Sequence, residues 1–179
     1  MKYSDIYRLY STSQPKDAIH QALREVSVDD SDEQYEDRSP LHLACQYGDA
    51  EGVKILLERD AEPNTKDANG STPIHILGRT SAGCADEDKL KEIAVMLIEQ
   101  GANIPRSAKN TTALIECIRN RHFKMAEAII DSGARVNSTD LNGENVLFGF
   151  CAASGDIRRD IRFAKKELDE SVQYRYPEN

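Results

Sequence analysis

Histidines, cysteines and clustered carboxylates are the residues of this chain that could do chemistry, and their spacing decides which chemistry is open to them. Four histidines and four cysteines are spread over 179 residues. A thiolate or imidazole metal site needs its ligands close together, as in C-x-x-C. Cys45, Cys84, Cys117 and Cys151 have no such spacing, and Cys84 has no paired histidine nearby to serve as its base. There is also no nucleophile–base pair, glycine-rich phosphate loop or metal-ligand spacing. These patterns argue against a metal, a cofactor and covalent catalysis, and an enzyme becomes the least favoured class.

Two of the histidines belong to a different pattern. Ser39-Pro40-Leu41-His42-Leu43-Ala44 returns 33 positions later as Thr72-Pro73-Ile74-His75-Ile76-Leu77. A fixed period of this size marks a protein built from stacked units. Each copy leads into a second apolar run and then a Gly-Ala-like turn. In the first copy these are Val53 to Leu57 and Asp60-Ala61; in the second, Ala94 to Ile98 and Gly101-Ala102. A third copy runs from Thr112-Ala113-Leu114-Ile115 through Ala126 to Ile130 and ends at Gly133-Ala134, and a fourth begins at Asp140-Leu141-Asn142-Gly143. Ser39, Thr72 and Thr112 precede the turn alanines Ala61, Ala102 and Ala134 by 22, 30 and 22 positions. The middle copy therefore carries eight extra residues, 30 less 22, within Arg79 to Leu90.

Head, second helix and Gly-Ala turn in one order, in three consecutive units, resemble the ankyrin repeat over roughly residues 35 to 145. That resemblance implies an all-α solenoid of stacked helix-turn-helix units joined by β-hairpin loops. About five units fit the length: a degenerate N-terminal capping repeat over 1–34, clear repeats over 35–66, 67–106 and 107–139, a C-terminal capping repeat over 140–173, and a frayed tail at 174–179. It also implies that His42 and His75 join hydrogen bonds tying neighbouring hairpins together, a structural role. The third unit departs from the family pattern, with Ala113 for proline, Ile115 for histidine, Asn110 for glycine, and a hairpin one residue short. An irregular hairpin between the second and third units is expected.

The residues support the same architecture without the family. Thr72 suits a helix cap and Pro73 a first helical turn. Val53, Leu56 and Leu57 form one apolar stripe, leaving Glu51, Lys54 and Glu58 for water. Tyr3, Ile6, Tyr7 and Tyr10 share a helical face, as do Ile19, Ala22, Leu23 and Val26 after Pro15. At the other end Ile157, Ile161, Ala164, Leu168 and Val172 make an amphipathic helix beside Arg158, Arg159, Arg162, Lys165 and Lys166. Cys45, Cys117 and Cys151 fall in small-residue slots of first helices and read as reduced core residues; Cys84, in the insertion, reads as exposed.

With 39% hydrophobic residues the chain can line one continuous solenoid. It has no apolar run of membrane-spanning length and no signal-peptide core at Met1 to Asp5, so a soluble cytoplasmic location is expected. A net charge of −8 argues against nucleic acid as a partner. Asp29, Asp30, Asp32, Glu33, Glu36 and Asp37 crowd one stretch, opposite in sign to the last helix. Three readings stay open: two solvated faces of a monomer, recruitment of a basic partner, or weak end-to-end self-association.

The functional expectation is a non-catalytic scaffold that binds a protein partner through the concave face and hairpin tips, or a regulatory or targeting module of a larger protein or complex. Carried over residue by residue, the resemblance leaves free the tip positions Tyr35, Glu36, Arg38, Ala68, Asn69, Ser71, Ala108, Lys109 and Thr111, with Leu141, Asn142 and Glu144 in the fourth copy. First-helix ends add Gln46, Tyr47, Arg79, Thr80, Arg119 and Asn120. Among these, Tyr35, Tyr47, Arg38, Arg79 and Arg119 are the types that dominate binding energy at interfaces. Tyr35 and Tyr47 have an equally simple alternative, packing over a neighbouring hairpin.

Overall fold

Sequence periodicity becomes a stack of helix pairs in the computed structural model, which describes residues 1–80, 86–103 and 112–134. The first pair is α1 (Tyr3–Ser11) and α2 (Lys16–Glu25), the second α3 (Pro40–Gln46) and α4 (Ala50–Leu57). Next come α5 (Pro73–Gly78) with α6 (Glu87–Glu99), and α7 (Ala113–Arg119) with α8 (Phe123–Asp131). First helices pack in the order α1, α3, α5, α7, and second helices in the order α2, α4, α6, α8. The fold is therefore a two-layered, all-α solenoid whose core runs continuously from Tyr3 to Ile129. The fourth copy, the C-terminal cap and the tail lie outside the described residues.

The stripes read from the sequence are the faces that are buried. Val53 and Leu56 have no exposed surface and Leu57 has little, while Glu51, Lys54 and Glu58 face solvent. In the first pair Tyr3, Ile6, Tyr10, Ile19, Ala22, Leu23 and Val26 are all buried; Tyr7 is half-buried. Cys45 and Cys117 are buried free thiols, and burial pushes both well above the ordinary thiol range, so they behave as core residues. Cys84 and Cys151 lie outside the described residues.

Polar groups fasten one unit to the next at points the apolar pattern does not reveal. Arg59 Nη1 donates to the carbonyls of Leu23 and Val26 at 2.6 and 2.8 Å, satisfying the end of the preceding second helix. Asn64 donates to the Gly101 carbonyl at 3.0 Å and accepts from the Asn103 N–H at 2.7 Å, linking successive turns. Asp49, almost fully buried at the start of α4, accepts from Tyr10 Oη at 2.9 Å and sits 3.0 Å from His20 Nε2. Gly52 leaves room for this cluster. A Cβ there would come within 2.6 Å of Asp49 Oδ2 and 2.9 Å of Tyr10 Oη.

The insertion is partly helical. α6 begins 15 residues before Ala102, whereas α4 begins 11 before Ala61, so four of the eight extra residues lengthen α6 at its N-terminus. That added turn carries Asp88, which accepts from Lys124 of α8 at 2.6 Å.

Three substitutions test this packing. Leu56→Ala should lower the unfolding free energy by about 2–5 kcal/mol in urea, against almost no change for Lys54→Ala; equal effects would mean that the buried face of α4 is misassigned. Gly52→Ala should destabilise by about 1–3 kcal/mol although alanine is the better helix former, because the methyl group has no space.

Candidate protein-interaction surface

First helices and hairpin tips bring the candidate residues to one side of the stack, and the tips are positioned by buried hydrogen bonds. His42 Nδ1 accepts from the Ser39 N–H at 3.2 Å and lies 2.9 Å from Ser39 Oγ, and Nε2–H donates to the Ser71 carbonyl of the next tip at 3.0 Å. Both nitrogens are thus used, which fixes the neutral ring. Burial lowers the His42 pKa to about 4 from its usual 6.5, and the Ser71 carbonyl offsets only part of that. His75 repeats the Nδ1 arrangement with Thr72 Oγ1 at 2.9 Å. The third copy has Ile115 at this position, and there Thr112 Oγ1 accepts directly from the Ile115 N–H at 3.2 Å.

The second tip is shaped by Asp67, whose Oδ1 accepts from the Asn69 and Ser71 N–H groups at 2.9 and 2.8 Å. Among the described residues the tips are turns rather than extended strands, joined by one backbone bond from Ala68 N–H to the Glu36 carbonyl at 2.7 Å. The irregular hairpin expected between the second and third units falls mostly outside the described residues.

The N-terminal half of this face is aromatic. Tyr35, half-buried in a short 3-10 turn, packs on Tyr7 with ring centroids 4.2 Å apart and on Tyr3 at 5.6 Å. Tyr47 stacks on Tyr10 at 4.8 Å and 10°. Both tyrosines therefore pack on α1 and still present surface to solvent. The contribution of α1, through Tyr3, Tyr7 and Tyr10, was missing from the sequence-derived site. Its signal was the regular spacing of three tyrosines on a helix otherwise read only as a cap. Tyr3, Tyr7, Tyr35, Glu36, Arg38 and Gln46 border a half-open cavity of about 190 Å³.

The remaining candidates divide into surface and scaffold. Glu36 is exposed and pairs with Arg38, whose Nη1 donates to Gln46 Oε1 at 2.8 Å. Asn69 is half-buried at the second tip. Ser71 is not free: it has no exposed surface, its carbonyl receives His42 and its hydroxyl receives Arg79 Nη1 at 3.0 Å. Thr80 is likewise buried, its hydroxyl donating to the Cys45 carbonyl at 3.3 Å and its carbonyl accepting from His122 Nε2 at 2.6 Å. These two corrections share a cause: a short side chain at a tip or helix end is covered by the adjoining unit. Half-buried Arg79 also pairs with the nearly buried Glu116, Nε to Oε1, at 3.1 Å. Asn120 donates to the carbonyls of Gly78 and Glu116 at 3.0 and 2.9 Å, and Arg119 is half-buried. Lys109, Ala108, Thr111, Leu141, Asn142 and Glu144 lie outside the described residues.

Among the described residues no cluster of three or more potential metal ligands exists, and no helix is long and apolar enough to cross a membrane.

Comparison with known proteins places this geometry. A family model described as ankyrin repeats (many copies) matches residues 23–77. The neurogenic locus notch homolog protein 1 of Xenopus tropicalis is 34% identical over 133 residues, 74% of this chain and 5% of that protein. Rabankyrin-5 of Mus musculus is 31% identical over 115 residues, 62% of this chain and 9% of that protein. A transient receptor potential cation channel subfamily A member 1 homolog of Caenorhabditis elegans is 46% identical over 48 residues, 27% of this chain and 4% of that protein. The chain thus spans less than a tenth of the length of each.

The buried neutral imidazole makes the stack sensitive to acid. The unfolded chain takes a proton on His42 near pH 6.5 and the folded chain only near 4, so stability present above 6.5 is lost as pH falls. The loss should be roughly 1.4 kcal/mol per pH unit in that window. Urea unfolding of the wild type and His42→Gln should show the stability gap between them narrowing as pH falls from 6.5 to 4; a constant gap would mean that His42 titrates alike in both states.

Proposed function

The chain belongs to the ankyrin-repeat family, and from that membership and the surface described above we propose that it is a non-catalytic scaffold binding a protein partner. Ankyrin repeats are in general protein–protein interaction modules. The contact surface in this reading is the concave side, formed by the first helices and hairpin tips of the N-terminal half. The observation that carries it is the group of half-buried tyrosines, Tyr7, Tyr35 and Tyr47, each backed by another tyrosine ring and open on its outer side. Rigid aromatic side chains already packed in place lose little entropy on binding, which is why they anchor interfaces. Arg38, Gln46, Asn69, Arg79, Arg119 and Asn120 supply polar contacts along the same first-helix side. The buried unpaired thiols Cys45 and Cys117 suit a reducing compartment, and we place the protein in the cytoplasm.

A double variant, Tyr35→Ala with Tyr47→Ala, should lose the partner that the wild type captures from its native cell. With that partner purified, the affinity should fall by at least about 2 kcal/mol, roughly thirtyfold, while melting stays cooperative. Lys54→Ala and Glu58→Ala, on the second-helix side, serve as controls. Unchanged affinity in the tyrosine variant, or an equal loss in the controls, would contradict the assignment.

A further inference from the structure

The aromatic cavity lies in the most acidic part of the described surface, and the two features select one kind of occupant. Six carboxylates, Asp29, Asp30, Asp32, Glu33, Glu36 and Asp37, fall within nine consecutive residues that contain no lysine or arginine. They are tied to the cavity. Asp30 accepts from the Tyr3 N–H at 2.8 Å, Asp32 caps the turn that carries Tyr35, and Glu36 lines the opening. Asp29, Glu33 and Asp37, in the same segment, are exposed. Tyr3, only 1% exposed, also lines the cavity, and its hydroxyl has no hydrogen-bond partner among the described residues. Burial keeps that hydroxyl protonated.

We infer that this cavity receives a basic segment of another protein, with a lysine or arginine side chain laid on the Tyr7 and Tyr35 rings and its charge met by the surrounding carboxylates. The inference rests on the protein-binding reading above and supplies the chemistry of the partner. A cation over an aromatic face is attracted by the ring quadrupole, and the neighbouring carboxylates add attraction at longer range. The chain's own Arg38 borders the same cavity, paired to Glu36 and bonded to Gln46. The same field repels a nucleic-acid backbone, an anionic membrane surface or an acidic peptide.

The test is selection of short peptides from a random display library by the folded full chain, followed by fluorescence anisotropy on the enriched sequences. Enriched peptides should carry net positive charge, and their affinity should drop at least about tenfold from low to physiological salt. Tyr35→Leu, which keeps an apolar side chain, and Asp29→Lys with Glu33→Lys, at two exposed positions, should each weaken binding about tenfold or more with an unchanged circular dichroism spectrum. Enrichment of neutral or acidic peptides, failure to enrich any, or indifference to both variants would overturn the inference. If the wild type dimerises at low salt and the charge-reversal variant does not, the occupant is a second copy and a separate basic partner is ruled out. Tyrosine-dependent binding of a partner lacking a basic segment would overturn the inference alone; binding independent of the tyrosines would overturn the protein-binding reading with it.

Discussion

No described helix pair can bury its own apolar face, and that constraint governs the rest of the structure. α4 has eight residues and α3 seven, too short to persist alone in water. Val53, Leu56, Leu41 and Leu43 lose their surface only because α2 and α6 flank α4, and α1 and α5 flank α3. Stability is consequently shared between neighbours. In the first pair Tyr3, Ile6, Tyr10 and Leu23 fill the inner face while polar side chains face solvent.

Hydrogen bonds then convert stacking into a single register. A buried imidazole from one unit holds a carbonyl of the next, Arg59 closes the end of the preceding second helix, and Asp49 and His122 reach back to the preceding unit from equivalent positions. The residues that looked most capable of chemistry are consumed by this work. His42 uses both nitrogens, and Cys45 and Cys117 are held as buried thiols. What stays available is the side of the stack that no following unit covers.

Much of the fold was legible because repetition exposes structural positions: whatever recurs every 33 residues, such as Pro40 and Pro73 or His42 and His75, serves the stack. The buried stripes followed from helical periodicity. The site was only half legible, since freedom depends on side-chain reach and on the neighbour. Ser71 and Thr80 are too short to emerge from beneath the adjoining unit, whereas Arg38 and Arg79 at comparable places reach the surface and pair there. The aromatic platform escaped sequence reading because it spans two units, joining Tyr7 and Tyr10 of α1 to Tyr35 and Tyr47, which are far away in the chain. The buried Asp49 cluster escaped it for the same reason, although Gly52 within a helix was a trace of the crowding.

The aromatic end of the first-helix layer, beside the acidic segment, is the face proposed to meet the partner. Hydrogen–deuterium exchange of the full chain with and without the purified partner tests it most directly. Partner binding should add protection over residues 30–47, with α1 following and the exposed edge of α4 and α6 unchanged. Protection confined to the second helices α4, α6 and α8, with residues 30–47 unaffected, would contradict it.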